Sequence, residues 1–142
     1  MSEAEVLEEL HSRINTIEEA YEFMLAYASQ GLSSDQGSDT GRQAREYLHR
    51  CDTALTDFGG FLTRFTERIG LEPAAPYLAF IKVIDRDARD AQAALQLVLA
   101  QPAISSQLVD NLNASIHLRT LLTDIFLVDE IVKKRLALRK KA

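Results

Sequence analysis

Apolar residues recur along this chain in alternating steps of three and four, and four stretches carry the pattern. The first holds Leu7, Leu10, Ile14, Ile17, Tyr21, Met24 and Ala28. The second holds Ala44, Leu48, Cys51, Leu55, Phe58, Leu62, Phe65 and Ile69, and the third Tyr77, Ile81, Ile84, Ala88, Ala91, Leu95 and Val98. In the fourth, Ile104, Leu108, Leu118, Leu122, Ile125, Val132 and Leu136 keep the register, with polar Asn111, Ser115 and Asp129 inside it. Such steps place one side of a helix against its neighbours, and a sustained 3.5-residue period predicts helices crossing at about +20°. Period-two alternation is absent, so no strands are expected.

Turn and cap residues divide these stretches. Gly31 stands where a first helix would stop, and the polar run Ser33 to Asp39 leads to Asp39 or Thr40 as a cap. Gly70 ends the second stretch, with Pro73 and Pro76 before the third. Gln101-Pro102 separates the third from the fourth, and Ser105 and Ser106 are candidate caps. The expected helices are 3–29, 40–70, 76–100 and 103–139. Short connections make neighbours antiparallel. The expected fold is therefore all-α: one domain, 1–142, forming an antiparallel up-and-down four-helix bundle with long helices.

Composition narrows the class of function. A chain of 142 residues is long enough to bury a core without disulfides or a metal. Cys51 is the single cysteine, which fits a reducing compartment, and the acidic start Met1 to Glu5 lacks the features of a secretory signal. With no apolar run long enough to span a bilayer, the expected location is cytoplasmic. Net charge is −5, yet residues 133–142 carry six basic side chains and no acid, leaving −11 on residues 1–132. An acidic body of that kind repels phosphates, so sequence-specific nucleic-acid binding is not expected. Weak phosphate or lipid contact through the basic tail stays open, beside complementing the helix dipole or pairing with the acidic first helix (Glu3, Glu5, Glu8, Glu9) of a neighbouring subunit.

Reactive constellations are sparse. Glu8 with His11 and Glu46 with His49 match the Glu-x-x-His pairs of di-iron bundles. Their carboxylates fall off the apolar seam, and the two histidines would sit about 13 Å apart along an antiparallel pair. His117 also flanks the seam. Neither a metal, a cofactor nor a catalytic set is expected. Cys51 occupies a core position with no base at helical distance. In the run Asp85 to Asp90, the i,i+4 pairs Asp85–Arg89 and Arg86–Asp90 read as a solvated helix face.

Two features invite a functional reading. Gly59-Gly60 falls inside the second expected helix, where two glycines cost about 2 kcal/mol relative to alanine. Phe58, Phe61, Phe65, Tyr77 and Phe80 surround the pair, so either the rings fill the space or a pocket for an apolar or aromatic small molecule lies there. In the fourth helix, Leu118, Leu122, Ile125 and Val132 already supply an inner stripe, leaving Leu121, Leu127, Val128 and Ile131 over. Exposed together, these would form an interaction face. The expected function is a small cytoplasmic interaction or adaptor protein, homodimeric through this helix and docking a partner protein. A carrier or sensor of an apolar molecule near Gly59-Gly60 is the alternative, and a metal-dependent bundle enzyme a more distant one.

Overall fold

The computed structural model describes residues 1–141, and the side chain of Lys141 and the whole of Ala142, which end the basic tail, lie outside the described residues. Among the described residues every regular element is a helix: α1 (Glu3–Ala28), α2 (Asp39–Leu55), α3 (Phe58–Ile69), α4 (Ala74–Leu99), α5 (Ser106–Ala114) and α6 (His117–Lys141). Two unbroken helices, α1 and α4, each pack against all four of the others.

Local chemistry explains where the helices begin. Ser2 forms a capping box with Glu5: its Oγ accepts from the Glu5 N–H at 3.1 Å, and its own N–H donates to Glu5 Oε1 at 3.2 Å. Ser38, rather than the expected Asp39 or Thr40, caps α2 by accepting from the Gly41 N–H. Ser105 caps α5 in the same way through Leu108. Gly70 closes α3 with a left-handed φ of 75°, which a glycine adopts without steric penalty.

The inner face of α1 is Val6, Leu10, Ile14, Ile17, Ala20, Met24 and Tyr27, with Leu7, Tyr21 and Ala28 at its edge. At Val6, Ala20 and Tyr27 the buried position lies one residue before the strict register of Leu7, Tyr21 and Ala28, which turns this face slightly toward the preceding residues while its average spacing stays at 3.5.

The second and fourth expected helices are each divided. Between α2 and α3 the chain turns at Thr56, which is extended, and Asp57, which is left-handed with φ 52°. Carbonyls freed by this break are taken from across the fold: Arg13 of α1 donates Nη1 to Ala54 O at 3.3 Å and Thr56 O at 3.0 Å. From α4, Gln92 Nε2 donates to Asp52 O and Thr56 Oγ1, both at 3.1 Å. Two long-range side chains thus satisfy groups that would otherwise favour a continuous helix. Between α5 and α6 the break falls at Ser115 and Ile116, and Ile116 has φ 62°.

A β-branched residue in the left-handed region costs roughly 1–2 kcal/mol, and the Ile116 side chain is exposed, so little packing offsets that strain. Ile116→Asn is expected to stabilise the protein by about 1 kcal/mol, raising the thermal midpoint by about 2–4 °C. A lowered midpoint in calorimetry would mean that the turn depends on the isoleucine side chain.

Candidate functional site

Leu127, Val128 and Ile131 of α6 come together with Phe65 of α3 and Tyr77 and Phe80 of α4 around one open groove of about 500 Å³. Leu62, Thr66, Leu71, Pro73, Pro76, Ile81 and Val132 complete its walls, and Arg135 stands among them as the only charged side chain. The Thr66 hydroxyl donates to Leu62 O at 2.9 Å, so it offers its hydrogen to no ligand. A groove so lined can desolvate apolar groups and has little with which to orient a polar one.

Each wall follows from local sequence. The α3–α4 connection is held by Gly70 and Leu71, whose N–H groups both donate to Thr66 O, and Leu71 is buried while Pro73 and Pro76 line the groove with it. The α6 wall is two-sided. Val132 is buried, Val128 is half-buried, and Leu127 and Ile131 are 53% and 38% exposed. These last two form a lip that solvent reaches.

Other expected site residues stand elsewhere. Leu121 is wholly buried with Leu118, Leu122, Ile125 and Val132, so it belongs to the core and not to the outer face. Helix α6 starts afresh at His117 and packs against both α4 and α1, which requires a wider apolar arc than one seam. Phe58, Gly59, Gly60 and Phe61 do not line the groove. Phe58 and Phe61 meet edge to face with centroids 6.5 Å apart, Phe61 lies 6.3 Å from Phe65, and the Arg13 guanidinium sits 4.7 Å from the Phe61 centroid. The rings fill the interior themselves.

The glycines also lie in the first turn of α3, not within a longer helix. A Cβ on Gly59 would stand 2.6 Å from Asp85 Cβ, so this glycine permits the close approach of α3 to α4. A Cβ on Gly60 would meet the Asp57 carboxylate, which pairs with Arg64 at 3.3 Å. Gly59→Ala is expected to destabilise the protein by about 1–3 kcal/mol through overpacking, measured by urea unfolding. An unchanged midpoint would show that the α3–α4 contact yields freely.

Glu8, His11, Glu46, His49 and His117 are all exposed, and Glu46 pairs with Arg50 at 3.4 Å. Among the described residues no three His, Cys, Asp or Glu side chains converge to hold a metal ion. Cys51 is buried, and loss of solvation, with Asp52 nearby, pushes its thiol up to about 12, which leaves little thiolate at neutral pH. Asp85 pairs with Arg89 at 3.0 Å, whereas Arg86 and Asp90 form no pair among the described residues. Along the basic end of α6, Lys133 pairs with Asp129, Lys134 with Glu130, and Arg139 with Glu3 at 3.5 Å, while Arg139 also donates to Ile69 O.

One polar contact had no sequence signal beyond an acid among apolar residues. Asp124 of α6 faces Asp87 of α4, and burial, followed by the Asp87 hydrogen bond and charge, raises its pKa to about 7. Were both ionised, the buried Asp124 Oδ2 would have no donor, and a proton held between the two carboxyls supplies one. A raised folded-state pKa stabilises the fold below the unfolded value near 4, and that contribution is lost as pH rises through about 7. Wild-type thermal stability is therefore expected to fall between pH 5 and 8, and Asp124→Asn to flatten the slope and exceed wild type at pH 8. A slope unchanged in the variant would assign the dependence to other groups.

Comparison of the chain with protein-family models, with curated proteins and with solved structures finds no match. No helix among the described residues is long and apolar enough to cross a membrane.

Proposed function

We propose that the protein is a small adaptor whose working surface is the α3–α4–α6 groove, where it takes up the apolar face of a helix from a partner protein, its own second copy included. The observation that carries this reading is the groove itself: an apolar cleft bordered by the exposed Leu127 and Ile131. Interfaces are built around desolvated apolar centres with charge at the rim, and Arg135 stands where such a rim would be. In this reading α2 with α3, and α5 with α6, act as two jointed columns beside α1 and α4. Together they make one antiparallel four-column bundle of 142 residues. Its single buried cysteine suits the reducing cytoplasm.

A carrier of an apolar small molecule is the second reading, favoured by a volume within the range of about 300–1,000 Å³ typical of ligand pockets.

A photo-cross-linking side chain placed at Leu127, in the groove lip, tests the proposal against the same group at Leu97, which is 67% exposed on the far part of α4. Discrete protein adducts in cells at Leu127 and none at Leu97 are expected. No adduct at Leu127, or the same adducts at both positions, would refute protein docking in the groove. An apolar compound retained by the purified protein in native mass spectrometry, with no protein adduct, would shift the function to carriage.

A further inference from the structure

We infer that the first occupant of this surface is a second copy of the chain, paired through antiparallel α6 helices so that Leu127 of one copy lies opposite Leu138 of the other. The inference rests on the docking reading above and names its partner.

Three exposed apolar side chains lie on one line of α6: Leu127, Ile131 and Leu138, at spacings of four and seven, exposed by 53%, 38% and 64%. Lys134 stands at the edge of this line on the Glu130 side, and its alkyl stem widens the stripe there. The stripe is roughly 16 Å long at 1.5 Å per residue. Ile125 and Val132, on the other side of the helix, are buried in the core. The apolar outer line is therefore not needed for folding the protomer.

Geometry distinguishes the occupants. A small molecule in the groove would cover Leu127 and Ile131 and leave Leu138 uncovered, because Leu138 is not among the groove residues. A second α6 laid along the stripe covers all three. In this register Ile131 of each copy lies opposite position 134 of the other, between the groove residues Ile131 and Arg135, so the same contact is made twice, as a two-fold pairing requires.

Charge selects the direction. Glu130 and Lys134 lie on one flank of the stripe, both exposed, and pair with each other at 3.6 Å within the chain. A two-fold axis between positions 132 and 133 sets Glu130 of each copy beside Lys134 of the other. In a parallel two-fold pair this flank would face the opposite flank of the partner, and the Glu130–Lys134 contacts between copies would not form. At exposed positions such pairs contribute only a few tenths of a kcal/mol, enough to bias orientation, while the apolar stripe supplies affinity.

The test uses the full chain carrying Leu127→Cys and Leu138→Cys together, beside each single variant, under mild oxidation; native Cys51 is fully buried. Light scattering should report a dimer for the wild type. The double variant should give disulfide-linked dimers well in excess of either single variant, since position 127 meets position 138 and neither meets itself. Ile131→Asp should weaken association by at least about tenfold while circular dichroism keeps the helical signal and unfolding midpoint. A wild-type monomer at micromolar concentration, or single variants that link as fast as the double, overturns the inference. Should the wild type prove monomeric while the Leu127 photo-cross-linker still captures a different protein, only this inference fails. Should both results be negative, the docking function fails with it.

Discussion

The structure depends on an ion pair at one end of the molecule, between the buried Asp35 and the partly exposed Arg45. Asp35, in the connection between α1 and α2, accepts the Ile104 N–H at 2.6 Å and the Arg45 Nε–H at 2.8 Å. Burial alone would push its carboxyl up, but the Arg45 and Ile104 bonds outweigh that, and its pKa is held below the usual carboxylate value. Arg45 then donates to Leu99 O and Gln101 O, Tyr27 donates to Ile104 O, and Ser106 joins Tyr27 O to the Leu32 N–H. One connected set of bonds thus ties the connections after α1 and after α4 to α2 and to the start of α5. Every member is satisfied, which is the condition under which a buried polar network specifies a single packing.

With that end locked, the opposite end is free to differ. There the contacts between elements are mostly apolar, supplemented by Arg68 donating to Met1 O and Arg139 bridging Glu3 and Ile69 O. The short α3–α4 connection and the outer part of α6 leave a hollow between them that no side chain fills. The groove is a consequence of pinning one end by directional bonds and closing the other by non-directional packing.

Helix α6 carries most of the functional interest because it presents three different surfaces. One supplies the core, another sets Asp124 against Asp87 of α4, and the third is the Leu127, Ile131 and Leu138 line. The carboxyl pair lies in the α4–α6 contact, outside the residues that line the groove.

The apolar periodicity, read without any coordinates, determined that the chain is helical, where α1 and α4 run and which of their faces are buried, because these depend on neighbours a few residues away. It also marked Leu127, Val128 and Ile131 as surplus to the core, and Phe65, Tyr77 and Phe80 as near an apolar space. The two helix breaks were not legible. The first requires Arg13 and Gln92, each some forty positions away, to take the freed carbonyls. The second places an isoleucine in a conformation that its own preference opposes. Leu121 entered the core, and Gly59-Gly60 became a contact with Asp85 and Asp57 instead of a pocket, for the same reason. Local spacing reports what a residue can do on its own helix, whereas rotation of one helix against the next is settled only by the groups each finally meets.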